Sequence, residues 1–510
     1  GRESPRSTGR VFMESIDRRT FLARSTRVAG GTALSLTALG RLDRRVALAA
    51  AGGPLTDVGY GPLSPLAPAN DPALGEILAL PAGFSYVAFS KIGDLLDDGF
   101  PVGVNLDGMA AFPHPTESGV VRLIRNHEDR SAPGTGSVQG PAATKYDANA
   151  GGGNTTLDYD ESSRTLLRHW ISLNGTIVNC AGGIGHRFGS WLTCEETTAS
   201  QGQGGGPGWA KNHGYVFQVP LNLAPNTTAT AVPLPALGRF AHEAVAVDQG
   251  TGILYLTEDA GSGVGSGLYR FLPNDPDDLG QGGVLQMLGI GGRPQYDTRE
   301  GQGVRASLPV VWYDIANPDP ADASNASAMR VFKQGFDQGG AAFNRLEGVW
   351  WDAGRVYFAA TSGGDAKSGD VNGDGFAEGY GQIWEYRSTG ANGGKLRLIY
   401  ESPGQSVLDS PDNLTVTPRG GLILCEDDAG SNDDDTHPLA PGITDVNRLI
   451  GLTPKGAAFE FAVNRTNDSE FAGACFSPSG RTLFANVFGD GSAGSGMTVA
   501  ITGPWENGPL

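Results

Sequence analysis

Six times along this chain a short apolar run begins at a chemically distinctive residue, reaches a glycine turn, and is followed by a second apolar run. The runs begin at Asp107-Gly108-Met109-Ala110-Ala111, Cys180-Ala181-Gly182-Gly183-Ile184, Glu243-Ala244-Val245-Ala246-Val247, Glu347-Gly348-Val349-Trp350-Trp351, Asp412-Asn413-Leu414-Thr415-Val416 and Ala472-Gly473-Ala474-Cys475-Phe476. All but the last begin with Asp, Glu or Cys, side chains that bind metals or carry acid–base chemistry. The turn glycines stand at 119, 189, 252, 354, 420 and 480. They lie roughly 60 to 70 residues apart, with one interval of roughly 100. The apolar runs are short and rich in Val, Ile, Leu, Tyr and Phe, so they read as strands. No long amphipathic helix is evident.

This pattern leads us to expect an all-β chain, a six-bladed β-propeller with loop insertions, because a blade needs four strands per repeat. Residues 51–510 form its single domain. An insertion around 262–340 accounts for the long interval, and the stretch 273–283 within it is rich in Pro, Asp and Gly. A β-sandwich could hold as many strands but would not place reactive groups at one end of every unit. In a propeller the innermost strands surround one axis, and the five groups converge there.

The second run carries its own column. Counting from the turn glycine gives Glu195, Glu258, Ala360, Glu426 and Asn486. Neighbours in a strand face opposite ways, so Glu195 and Glu196 cannot both point inward, and the column selects Glu195. The first repeat, Gly119 to Glu128, does not align. A single carboxylate beside a turn is ordinarily a solvated loop residue. A set of them flanked by continuous apolar strand is costly unless paired or metal-bound.

The formal net charge is −18, which argues against nucleic-acid binding and anionic membranes and suits multivalent cations. The 78 glycines are spread through turns between strands, so the chain is not a disordered one. After the N-terminus no apolar run is long enough to span a membrane. Residues 1–50 read as an export signal. Asp17-Arg18-Arg19-Thr20-Phe21-Leu22 carries a twin-arginine pattern, a weakly apolar stretch follows, and Ala47-Leu48-Ala49 suits cleavage. Met13 is the expected start, which makes residues before it non-native. The expected partner at this step is the twin-arginine export machinery, and the expected destination is the periplasm or the exterior of a bacterium.

Four cysteines in an exported chain suggest disulfides. Cys180 lies in the ligand column and is read as a metal ligand. Cys194, Cys425 and Cys475 are either buried small apolar residues or one disulfide plus a free thiol. His127 and His242 each precede a glutamate and are read as packed, hydrogen-bonded residues. Asp370, Asn372 and Asp374, with Gly375, match the start of a calcium loop, but the twelfth position is Gly381 rather than Glu. This segment is a candidate peripheral calcium loop or a plain acidic turn. The run from Asp427-Asp428 to Asp433-Asp434-Asp435 reads as a solvated loop.

Several segments resemble the PhoX-type alkaline phosphatases: Arg125-Asn126-His127-Glu128, Asn179-Cys180-Ala181-Gly182-Gly183, Trp191-Leu192-Thr193-Cys194-Glu195-Glu196 and Gly238-Arg239-Phe240-Ala241-His242-Glu243-Ala244. So do Leu256-Thr257-Glu258-Asp259, Arg345-Leu346-Glu347-Gly348, Pro411-Asp412-Asn413-Leu414, Cys425-Glu426-Asp427 and Glu470-Phe471-Ala472-Gly473-Ala474-Cys475-Phe476-Ser477-Pro478. The match is ordered and runs from about residue 80 to 490.

The resemblance implies a secreted phosphomonoesterase on a β-propeller, with Fe(III) and Ca2+ ions and a bridging oxo group at its centre. It implies that Cys180 is an iron-binding thiolate and that Glu195, Glu243, Glu258, Glu347, Asp412 and Glu426 are carboxylate ligands. It also implies that Arg345 contacts the phosphate of a monoester substrate, with Glu347 beside it in the catalytic group.

The chemistry is coherent apart from the family. Phosphate ester hydrolysis needs charge neutralised on the phosphoryl oxygens, which clustered metals provide. An arginine offers a planar fork for the same oxygens. Residues 345 and 347 lie on one face of a strand. Two other readings use the same acids: a calcium-dependent propeller hydrolase of the lactonase kind, and a non-catalytic binding propeller.

Overall fold

The computed structural model describes residues 59–204, 207–428 and 436–510. The export segment 1–50 and the acidic run 433–435 lie outside the described residues.

The architecture is all-β and propeller-like, with sheets built from antiparallel strands that mostly neighbour their sequence partners. Six strands recur in equivalent places: Leu106–Pro113, Asn179–Ile184, His242–Val247, Leu346–Asp352, Pro411–Val416 and Phe471–Phe476. Each lies beside the next, and the last lies beside the first, so they enclose an axis.

Each of the six also carries the same irregularity against its hairpin partner. Leu106 pairs with His127, and the next pair is Met109 with Arg125. Asn179 pairs with Glu195, then Gly182 with Thr193. His242 pairs with Glu258, then Val245 with Leu256. The same skip follows Leu346–Ala360, Pro411–Glu426 and Ala472–Asn486. Three steps on one strand against two on the other is a β-bulge, which re-aims the side chain it carries. In the first five strands the bulge begins at Asp107, Cys180, Glu243, Glu347 and Asp412.

The residue after each of these is Gly or Ala in every strand except the fifth, which has Asn413, and the strands come closest there. A Cβ on Gly108 would lie 2.5 Å from the Ala181 Cα, and one on Gly348 2.8 Å from the Asn413 Cα. Gly473, at φ +61, would meet the Asp107 carbonyl at 2.6 Å. Gly108, Ala181, Ala244, Gly348, Asn413 and Gly473 therefore line a narrow axial space.

The ring closes through the N-terminal part of the chain. Ser85–Phe89 pairs with Met497–Thr502 and becomes the outer strand of the last sheet. That pairing covers an edge that would otherwise be open. Behind it Phe84 packs 4.8 Å from Trp505 and 5.2 Å from Phe461, centroid to centroid. The Tyr60 hydroxyl donates to the Trp505 carbonyl at 3.1 Å. Apolar side chains fill the spaces between neighbouring sheets in the same manner.

The stretch 262–340 is more ordered than a loop insertion. It contributes the strands Leu268–Pro273, Gly283–Ile290 and Ser307–Asp314 and the helix Val331–Gln338. Ser307–Asp314 pairs with Gly394–Glu401 and joins two adjacent sheets edge to edge. All four cysteines are buried and free, with no disulfide among them.

Candidate metal centre

The five bulge residues open onto one end of the axis. The second strand of each hairpin runs back to that same end, so whatever follows it arrives there too. Four overlapping groups result, each with ligand atoms within 4.8 Å of one another: Asp107, Glu128 and Cys180; Cys180, Glu196 and Glu243; Glu243, Glu347 and Asp412; Asp412, Asp427 and Glu470. They share members and form one continuous run.

Of the sequence-derived residues, the structure brings together Asp107, Cys180, Glu243, Glu347 and Asp412. It places Glu195, Glu258 and Glu426 elsewhere. Glu195 accepts from the N–H groups of Ile177, Gly214 and Tyr215 at 3.1, 2.9 and 3.3 Å and meets His213 Nδ1 at 2.7 Å. Glu258 accepts from the Gly267 N–H at 3.0 Å and the Tyr269 hydroxyl at 2.6 Å. Glu426 accepts two bonds from Arg448, each at 2.7 Å, and the Asp409 N–H at 2.8 Å.

The correction is one residue in each case. The strands end at Glu195, Glu258 and Glu426. The next residue leaves the sheet, where alternation no longer governs it, and turns to the axis. Glu196 and Asp427 join the run in this way, and Asp259 pairs with Arg345. The first repeat follows the same rule, with His127 ending its strand and Glu128 in the run. Asp427 is therefore part of the centre and not of a solvated loop. His127 and His242 are packed as expected, bonded to the Val104 and Gly238 carbonyls at 3.0 and 2.9 Å.

Neighbouring side chains lock the bulges. Asn126 donates to the carbonyls of Cys180 and Ala181 at 2.9 and 2.7 Å. Asn486, in the matching place of the last hairpin, donates to the Asp107 carbonyl at 2.6 Å. The Asn413 side chain accepts from the Gly473 N–H at 2.6 Å.

The electrostatics are those of a cation site. Glu243 is fully buried and neither carboxylate oxygen has a hydrogen-bond partner. Burial raises its pKa well above the usual range, and Glu347, Asp412, Glu196 and Asp107 raise it further. Asp412 is pushed up to about 8 by burial and by Asp427. Burial and then Asp107 push the Cys180 thiol well up. So many crowded acids must either hold protons or share cations. The unpartnered Glu243 carboxylate, with a thiol and further carboxylates around it, fits metal ions.

Two arginines border the run. Arg345 bonds Asp259 at 3.2 and 2.9 Å and Glu347 at 3.1 Å, with 34% of its side chain exposed. Burial works against its charge, but Asp259 and Glu347 outweigh it and hold the guanidinium protonated. Its backbone is left-handed, at φ +36, an uncommon conformation outside glycine. Arg130, absent from the sequence reading, bridges Glu128 at 2.5 Å and Glu196 at 2.9 Å. It follows Glu128 by two residues, and only an aligned first repeat could have pointed to it. Asp370 and Asp374 lie apart from the run, in a separate acidic group with Glu378.

Comparison with known proteins gives the family and the fold. The family model described as alkaline phosphatase PhoX matches residues 58–167 and 161–491. The solved structure of Pseudomonas fluorescens PhoX in complex with vanadate, a transition state analogue, is similar at 18% identity and a TM-score of 0.63. That likeness covers 89% of this chain and 99% of the other. A gluconolactonase from Xanthomonas campestris is similar at 11% identity, with a TM-score of 0.40 over 89% of this chain and 98% of its own. A search of curated proteins finds no match.

Proposed function

Because the chain belongs to the alkaline phosphatase PhoX family, we propose that it releases phosphate from phosphate monoesters at the axial run, with iron and calcium bound there. The observation that carries this reading is the continuous run from Asp107 to Glu470, with the unpartnered Glu243 at its heart and two arginines at its border. The bulge repeated in all six hairpins supports a count of six blades.

The thiolate of Cys180 is soft and suits iron, whereas the carboxylates are hard and suit both ferric iron and calcium. We assign Asp107, Glu128, Glu196, Glu243, Glu347, Asp412, Asp427 and Glu470 as the oxygen donors. When bound, such ions supply Lewis acidity and positive charge for the phosphoryl oxygens.

The remaining work falls to the chain itself. Arg345 offers its guanidinium to the phosphate, and Asp259 holds that group in place through Nε and Nη2. Preorganised donors of this kind stabilise charge that develops on the transferring group. Glu347 has two duties, one oxygen touching Arg345 and the carboxylate joining the run. The bulge locks at Asn126 and Asn486 fix where Cys180 and Asp107 stand.

The twin-arginine pattern supports export, and we place the mature protein in the periplasm or outside the cell. Among the described residues no helix is long and apolar enough to cross a membrane. Elemental analysis of protein purified after export, without chelators, tests the metal assignment. Iron together with calcium is expected. Calcium without iron would reduce Cys180 to a structural residue and favour a lactonase-like hydrolase or a binding propeller.

A further inference from the structure

A second acidic group shares no residue with the axial run. Carboxylate oxygens of Asp370, Asp374 and Glu378 lie within 4.8 Å of one another. The sequence spacing places acids or amides at loop positions one, three and five, Asp370, Asn372 and Asp374, with glycine at six. The glutamate expected at position twelve is replaced by Gly381. The fold supplies a carboxylate at position nine instead.

Glu378 is the independent observation. It is 1% exposed, and its Oε1 has no hydrogen-bond partner. Its Oε2 accepts from the Val371 N–H at 3.0 Å, which ties the end of the loop to its beginning. A buried carboxylate that has one oxygen without a donor and lies within 4.8 Å of two further carboxylates is costly without a cation. Asp370 accepts from the Gly375 N–H at 3.0 Å and Asn372 from the Asp374 N–H at 3.0 Å, so the loop is folded back on itself. Asp374 also accepts from the Gly263 N–H at 2.5 Å. That bond ties the loop to the segment that begins at Asp259.

We propose that Asp370, Asn372, Asp374 and Glu378 form a calcium site separate from the axial centre. Calcium takes six to eight oxygen ligands and tolerates irregular loops. An all-oxygen set without thiolate or imidazole suits it better than a transition metal. The bound ion fastens the loop 370–378 to Gly263.

The test is calcium binding by the full chain at equilibrium, comparing the parent protein with Glu378→Gln and, separately, with Asp374→Asn. Asp374 is exposed, so its variant is expected to fold even if the buried change does not. Hydrogen exchange at the amides of Val371, Gly375 and Gly263 is followed in parallel. Each variant is expected to bind one calcium fewer, with iron content unchanged. Calcium is expected to slow exchange at those amides in the parent alone. An unchanged calcium count in Asp374→Asn, or exchange that ignores calcium in the parent, overturns the site. Phosphatase activity enters neither arm, so its absence would count against the axial reading only.

Discussion

Glu195 and Glu196 are adjacent in sequence and serve opposite environments. Glu195 is buried within the sheet, held by three backbone N–H groups and His213. Glu196 lies beyond the strand end, within 4.8 Å of ligand atoms of Cys180 and Glu243. One carboxylate organises the scaffold and the other belongs to the centre, which makes the pair a direct probe of the arrangement.

Glu195→Gln should lower stability and Glu196→Gln should not. Replacing Glu195 removes a buried charged acceptor, a loss of about 1–3 kcal/mol for the donors it leaves unsatisfied. Glu196→Gln should lower bound metal at nearly unchanged stability. Denaturant unfolding and metal content on the same samples check both. Equal metal loss in the two variants would refute the division.

How far the sequence carried this account is clear at the same pair. The repeat, the all-β class and the convergence of Asp107, Cys180, Glu243, Glu347 and Asp412 were legible because each sits near a strand start fixed by an apolar run. Glu195, Glu258 and Glu426 lie outside the axial run because each is the last residue of its strand, and the group that turns to the axis follows it. The bulges were illegible, since an extra residue leaves no mark on hydrophobic pattern. Arg130 and Glu470 stand outside any strand, so periodicity could not reach them. The family resemblance supplied the chemistry that pattern alone left open between a phosphatase, a lactonase-like hydrolase and a binding module.

Arg345→Ala should lower kcat by about a hundredfold or more, the usual effect of removing a preorganised donor. Arg345→Lys should recover little of it, because an ammonium cannot reproduce the planar fork. Steady-state kinetics on a phosphate monoester check this. Unchanged kinetics in the alanine variant would remove Arg345 from the site.

Cys180→Ser should retain the fold and lose iron. A serine hydroxyl is a poor substitute for a thiolate ligand, and the Asn126 bonds that hold this bulge go to backbone carbonyls, which the change leaves intact. Elemental analysis and circular dichroism check the two halves. Full iron content in the variant would exclude Cys180 as a ligand.

His213 gives a pH-dependent contribution to stability. It is fully buried between Glu195 and Asp147, at 2.7 and 3.3 Å. Burial disfavours its charge, but Glu195 and then Asp147 outweigh it, so its pKa is raised above 6.5. The folded state binds this proton more tightly than the unfolded chain. The contribution is therefore complete below about 6.5 and is lost as pH rises through the folded value. The stability gap between the parent and His213→Gln should narrow as pH is raised. A gap that widens with pH would contradict the assignment.

Glu426→Ala should cost about 1–3 kcal/mol, because the buried Arg448 loses two charge-assisted bonds and is left with Glu460 as its carboxylate partner. Unfolding midpoints check the magnitude. Little change in stability would mean that Glu426 is not the structural partner of Arg448.

The central claim is that the axial run hydrolyses phosphate monoesters with bound metals. Phosphate release from p-nitrophenyl phosphate by the full chain, before chelation, after it, and after iron and calcium are restored, tests that claim most directly. Activity is expected to disappear on chelation and to return when both metals are supplied. Activity that survives complete metal removal, or a metal-loaded and folded chain that releases no phosphate, would contradict it.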